Sequence, residues 1–243
     1  VTGRRRPSPR LLAGAFGLAA LGDLCALLAG SETAHAVFKP LLMPLLAAYV
    51  LTRRGPRLLL AALLFGWGGD TLLLLDTDAA FLAGMGSFAV GHVCYLALFR
   101  RHGSANGASR ARGAVIVAAY TLALVVTVAL LWPDLPADMR GPVAGYSLLL
   151  TAMALGATTL GPVAAAGGAL FLLSDTLIAT GVAAWPQLPR PDFAIMLTYL
   201  AAQALLARGV LAAHQRIGTG TAVSSADSAT TTPSAITSPR AGA

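Results

Sequence analysis

Charge is what this sequence lacks. Asp, Glu, Lys and Arg make up only 11% of its 243 residues, against about 25% in a soluble domain. That shortage excludes an ordinary soluble globular fold. Cysteine is scarcer still, with two in the chain. Cys25 and Cys94 both fall in apolar runs, which argues against a disulfide framework or a thiolate metal site and reads as two small buried hydrophobes. Nucleotide-binding signatures are missing as well. The glycines around Trp67 neither follow a strand nor form GxGxxG, and no GxxxxGK[ST] occurs. There is no GxSxG nucleophile elbow. There is also no HExxH, so one His and two Asp have no metal-ligand spacing, and neither metal nor cofactor is expected. A net charge of +7 could suggest nucleic acid. Here the basic residues sit in short loops between apolar runs, where they orient a chain in a membrane.

What the sequence does have is hydrophobic length. Hydrophobic residues make up 56% of the chain, the mean hydropathy is +0.73, and apolar runs of roughly 18 residues or more recur along it, the signature of membrane-spanning helices. The reading is an all-α polytopic membrane protein with eight spans, near 11–29, 37–52, 58–75, 79–99, 113–132, 142–160, 163–184 and 192–213. Span two carries Pro40, placed to open the helix, and Pro44, placed in its first turn. The first run follows Arg4, Arg5, Arg6 and Arg10 and lacks an A-x-A site after it, so it reads as a span and not a leader. Three regions result: a basic N-terminus (1–10), the eight-span domain (11–213) and a Ser/Thr/Ala/Gly/Pro-rich tail (214–243), expected to be disordered.

With eight spans the charges alternate. Arg4–Arg6 and Arg10, then Arg53, Arg54 and Arg57, then Arg100, Arg101, Arg110 and Arg112, and finally Arg208 and Arg216 fall on one side. Glu32, Asp76, Asp78, Asp134, Asp138 and Asp192 fall on the other, with Arg140, Arg190 and Lys39. The positive-inside rule puts both termini in the cytoplasm of a multi-pass protein of the cell membrane, of bacterial inner-membrane type.

Two acids interrupt the apolar runs. Asp70 stands in Leu63–Leu75 and Asp175 in Gly168–Ala179, each followed by Thr and Leu. A charge at a helix centre costs about 2.5–3.5 kcal/mol on insertion scales and faces a protein interior or a watery cavity. Each acid lies in the third span of its half of the chain. Each is followed by a span that begins near a Phe (Phe81, Phe193) and carries a Tyr (Tyr95, Tyr199), a pattern that fits two parallel four-helix repeats. Small neighbours (Gly66, Gly69, Gly167, Gly168, Ser174) allow close helix packing. Neighbouring carboxylates resist double ionisation, so such a pair can hold one neutral acid and one anion, as acid–base catalysis requires. The alternative is a structural pair satisfied by polar neighbours.

The supporting residues carry the same ambiguity. Span four lines up Phe81, Gly84, Phe88, His92 and Tyr95 on one stripe; His92 fits a proton shuttle or a phosphate contact equally with a packing group. Tyr199 and Gln203 share a face at i and i+4 and fit helix–helix glue or the orientation of a water or a headgroup. Lys39 opens span two, either snorkelling to the interface, binding a lipid phosphate or pairing with an intramembrane acid. Asp23 and Glu32 lie near the same outer end, and Asp23 is a possible third member of the acidic cluster.

In chain order these motifs are Lys39-Pro40; Phe65 with Gly69-Asp70; Phe81, Gly84, Phe88, Gly91-His92 and Tyr95; Gly168 to Phe171 with Ser174-Asp175; and Tyr199 with Ala202-Gln203. This order resembles the YhhN family of membrane proteins, which includes the animal lysoplasmalogenases, over about residues 11–213. Gly66 to Gly69 depart from it where a Ser is expected after the Phe, and so does Ser87, where a second aromatic is common. The resemblance implies hydrolysis of the vinyl ether bond of a lysoplasmalogen to a fatty aldehyde and a glycerophospho-ethanolamine or -choline. Asp70 and Asp175 would share the acid and base roles. Lys39, His92, Tyr95, Ser174, Tyr199 and Gln203 would bind or support the substrate, a membrane lysophospholipid. No nucleic acid partner is implied, and the oligomeric state is left open. Two other functions fit the same residues: a proton-coupled transporter or flippase of a lipid or small amphiphile, and a hydrolase of a different lysolipid.

Overall fold

The computed structural model describes residues 7–103 and 110–230, the last fourteen of these by their backbone only. Its secondary structure is helical: α1 (Pro9–Ala29), α2 (Glu32–Thr52), α3 (Arg57–Leu72), α4 (Asp78–His102), α5 (Arg110–Leu131), α6 (Ala137–Ala157), α7 (Pro162–Val182) and α8 (Pro191–Thr230), with a 3-10 turn at Thr158–Leu160 between α6 and α7. Seven of the eight are long and apolar enough to cross a membrane. The exception is α3, whose 16 residues rise about 24 Å against a hydrocarbon core of about 30 Å.

Short polar residues start the helices. Ser8, Ser31 and Thr77 each accept a hydrogen bond from the backbone N–H three residues on, at the heads of α1, α2 and α4. Such caps satisfy one of the orphan donors of a helix start. Helix α1 stops at Gly30, whose φ of +71° places it in the left-handed region that glycine enters without steric cost.

The second helix corrects the sequence reading. It begins at Glu32, not at 37, so Pro40 and Pro44 lie inside it. Pro44 has no N–H to give the carbonyl four residues back, that of Pro40. The indole Nε1–H of Trp67, on α3, donates to that carbonyl at 2.9 Å. A neighbouring helix thus satisfies the backbone group the proline frees, which is how membrane helices tolerate interior proline.

The helices pack as a ring with one helix outside. Neighbours run α1–α2–α3–α4, then α6–α7–α8, with α4 against α6 and α8 closing on α1. Helix α8 is the most enclosed and also touches α2, α3 and α4. Helix α5 stands outside, mainly on α6. In both halves the third and fourth helices form the tightest pair. Small residues make this possible: a Cβ on Gly167 would lie 2.9 Å from the Leu206 backbone nitrogen, and one on Gly69 would lie 2.5 Å from the Phe88 ring. The main core runs through the ring from Leu42 and Met43 to Leu206 and Val210. Cys25 is exposed on the flank of α1, not buried as its apolar setting suggested, and Cys94 is partly buried. The backbone of α8 continues to Thr230, and residues 231–243 of the tail lie outside the described residues.

Candidate active site

Asp70 is buried in the ring and Asp175 lines a cavity at its edge, and each meets a tyrosine from another helix. Asp70 is 3% exposed. Its Oδ2 accepts a hydrogen bond from the Tyr199 hydroxyl at 2.7 Å. The Gln203 amide N–H donates to the Tyr199 oxygen at 3.3 Å, and the Gln203 carbonyl accepts from the Tyr95 hydroxyl at 2.7 Å. All donors in this chain, Tyr95 to Gln203 to Tyr199 to Asp70, point toward the carboxyl. Bonds aligned in this way polarise one another and stabilise negative charge at the end they point to. Gly66 leaves the room: a Cβ there would lie 3.2 Å from the Gln203 nitrogen and 3.3 Å from the Tyr199 hydroxyl.

Asp175 has a separate chain. The Tyr146 hydroxyl, from α6, donates a hydrogen bond to its Oδ2. The Tyr146 oxygen also lies 3.0 Å from His92 Nε2. Tyr146 has one proton and spends it on Asp175, so His92 Nε2 is the donor and Nδ1 carries the lone pair. That Nδ1 is buried and has no hydrogen-bond partner among the described residues. The Phe171 ring meets His92 edge-on at 4.8 Å between centroids, and Phe88, Phe171 and Tyr199 form a T-shaped cluster between the two chains. The two carboxyls share no hydrogen bond.

Lys39 is not at a helix start. It is the eighth residue of α2, more than two turns in, and only 9% exposed. Its ammonium makes no ion pair among the described residues, and it lines the vestibule described below. It is also the only lysine in the chain. Beside it lies a pair that no sequence spacing pointed to: His35 Nδ1–H donates to Asp23 Oδ1 at 2.8 Å. Asp23 is fully buried, and its Oδ2 has no partner among the described residues. Ser174, next to Asp175 in sequence, turns away and donates to the Ile195 carbonyl of α8 at 3.0 Å. Its hydroxyl fastens α7 to α8.

Two cavities meet at this centre. One, about 300 Å³, is lined mostly by apolar side chains of α4, α5, α6 and α7, with Asp175, Tyr146 and the hydroxyls of Thr127, Ser147, Thr151 and Thr176 as its polar groups. Asp70 does not line it. The other is an open vestibule of about 1190 Å³ that gathers Glu32, His35, Lys39, Asp76, Asp78, Arg190 and Asp192. These include most of the charges that the sequence assigns to the outer side. Leu73, Phe81 and Val182 line both cavities, so the polar and apolar spaces adjoin.

The profile of the YhhN family matches residues 34–210. The chain is 36% identical over 155 residues to a protein named lysoplasmalogenase TMEM86B from Homo sapiens, covering 64% of each chain. It is 34% identical over 149 residues to the lysoplasmalogenase TMEM86B of Sus scrofa, covering 61% of each. To a lysoplasmalogenase of Mycobacterium bovis it is 34% identical over 197 residues, 72% of this chain and 75% of that one. The chain thus spans somewhat less than two thirds of the length of the mammalian relatives it matches. No solved structure matches it. The profile runs from the head of α2 into α8 and takes in both acids, both tyrosine chains and Lys39, and on that footing the chain belongs to the YhhN family.

Proposed function

We propose that the protein is an intramembrane hydrolase that cleaves the vinyl ether bond of lysoplasmalogens. The products are a fatty aldehyde and a glycerophospho-ethanolamine or -choline. One observation carries the reading: a carboxyl group, Asp175, lines a largely apolar cavity that adjoins a charged vestibule, with a second acid, Asp70, buried in the same helix ring. The names of the relatives point to the same reaction.

The chemistry suits the residues. A vinyl ether hydrolyses when an acid protonates its β-carbon. The oxocarbenium ion that results is attacked by water, and the hemiacetal collapses to aldehyde and alcohol. The protein must supply a proton donor, an anion near the developing cation and an acceptor for the water proton. Glycosidases meet similar demands with two carboxylates. In this reading the alkenyl chain occupies the apolar cavity and the glycerophosphate headgroup the vestibule, where Lys39 attracts phosphate. Asp70 and Asp175 divide the acid and base roles. His92, Tyr95, Tyr199 and Gln203 orient the carboxyls, and Ser174 holds the helix that carries Asp175.

The test is aldehyde release by purified protein in detergent, offered a lysoplasmalogen beside its saturated ether analogue. Aldehyde is expected from the vinyl ether alone. Asp70→Asn and Asp175→Asn should each lower turnover by at least the 10²–10⁴-fold typical of a general acid or base, with the variants still monodisperse. Full activity in either folded variant sinks the shared-acid mechanism. No aldehyde from a monodisperse wild type moves the reading to another lysolipid or to transport, in which the substrate is recovered unchanged.

A further inference from the structure

A second site lies at the other end of the bundle from the vestibule, and the hydrolase reading does not use it. We infer that a groove between α1, α2 and α8 binds an anionic phospholipid, with the headgroup on Arg53 and Arg208 and the acyl chains along the apolar wall.

Position sets the kind of occupant. The vestibule gathers the last turn of α1 and the first turns of α2 and α8. The groove, about 460 Å³, takes the opposite ends of α1 and α2 and the matching stretch of α8. Phe16 of α1, Leu46 of α2 and Leu211 of α8 form its apolar wall, and Tyr49, Arg53 and Arg208 its polar part. All three helices are long and apolar enough to cross a membrane. What borders the groove is therefore the bilayer, and an occupant with one polar and one apolar end is a lipid.

Charge sets its class. Two arginines line the groove and no carboxylate does. Neither forms an ion pair among the described residues, and both are exposed. A guanidinium stays charged and presents its donors in a fork that fits phosphate. Arg53 gives one donor to the Tyr49 hydroxyl at 3.4 Å and lies over the Tyr49 ring, 5.9 Å from its centroid, which fixes it at the α2 wall. Arg208 stands inside a helix and not in a connection, because α8 runs on past it to Thr230. A loop arginine orients a chain, whereas a basic pocket between membrane helices binds anionic headgroups. The groove also lies at the seam where α8 closes the ring on α1. A headgroup held from α2 by Arg53 and from α8 by Arg208 ties that seam, so its binding stabilises the fold.

Thermal unfolding of the full chain in detergent tests the site, with phosphatidylglycerol, phosphatidylcholine or inorganic phosphate added. Both lipids are diacyl and carry no vinyl ether, so the outcome is independent of the hydrolase reading. A ligand of the folded state at ten times its dissociation constant raises the melting temperature of a chain this long by about 3–6 °C. Phosphatidylglycerol should give that rise in the wild type, and phosphatidylcholine and inorganic phosphate should not. The rise should vanish in the double variant Arg53→Gln, Arg208→Gln. It should also vanish in Ala13→Trp, which fills the groove from α1 and leaves both arginines in place. Arg57→Gln, which removes a charge at the same end but outside the groove, should keep it. An equal rise with phosphatidylcholine or inorganic phosphate, its survival in the double variant, its loss in Arg57→Gln or no rise in the wild type would each overturn the site.

Discussion

Tyr146 is the residue that most changes the view of the site. It joins Asp175 to His92, two groups that the sequence offered without a link. Tyr146→Phe keeps the ring and removes the bridge. A hydrogen bond to a charged group contributes about 1.5–3 kcal/mol, and each 1.36 kcal/mol is a tenfold rate change. The variant should therefore lose about 10–100-fold in kcat with KM for the lysoplasmalogen nearly unchanged, as measured by aldehyde release. A KM effect with kcat retained would make Tyr146 part of the substrate pocket and not of the proton chain. Trp67 makes a different kind of contribution. Trp67→Phe leaves the Pro40 carbonyl without its donor and should lower stability by about 1 kcal/mol, read as a lower melting temperature in detergent. The acid chemistry of the variant should be intact.

Among the helices, close approach is the deciding quantity. Gly167 faces the backbone of α8, and an added Cβ would meet Leu206 N at 2.9 Å and Ala202 O at 3.0 Å. Backbone atoms cannot rotate away as a side chain can. Gly167→Ala should therefore push α7 from α8 at a cost of about 1–3 kcal/mol. Gly86, with nothing within 4 Å of its would-be Cβ, is the control. Gly86→Ala should leave the melting temperature unchanged or raise it, since alanine is the better helix former. Thermal unfolding of the two variants in the same detergent makes the comparison.

The elements also show what the sequence could and could not reveal. Apolar runs marked all eight helices, although the third, expected to reach residue 75, ends at Leu72 and falls short of the length a bilayer demands. The acids were legible because a carboxylate is costly in such a run, whether it serves chemistry or a structural pair. The Tyr199–Gln203 pair was legible from its helical spacing. Tyr146 carries no such signal: its partners are 29 and 54 residues away, and one tyrosine in an apolar helix looks like packing. His35 was lost for another reason. The prolines moved the expected start of α2 past it, whereas Trp67 makes those prolines tolerable, and that compensation comes from a different helix. Ser174 was legible as buried and polar. The target of its hydroxyl, a backbone carbonyl of α8, is set by packing alone.

At the scale of the whole molecule the chain is a ring of seven helices with α5 laid against it. The apolar cavity lies where α5 meets the ring. We propose, from the alternation of arginine-rich and acidic connections, that this body sits with both termini inside and the vestibule outside. That orientation is testable by labelling intact cells with an impermeant maleimide, in a background where Cys25 and Cys94 are replaced by Ala. Asp78→Cys, at the vestibule, should label, and Arg101→Cys should label only after lysis. The reverse pattern would invert the molecule and place its headgroup chemistry on the cytoplasmic side.

The shortness of α3 has a consequence for the lipid around it. Asp70 lies two residues from the end of a helix about 6 Å shorter than the hydrocarbon it must cross. Lipids that border it must compress or tilt to avoid exposing their tails. A thinner bilayer relieves that stress and a thicker one adds to it, most of all at the helix that bears an acid. Acyl-chain length, which touches no residue of the site, thereby becomes a control on how the site is held, and vesicles of graded chain length would give graded activity from the same protein.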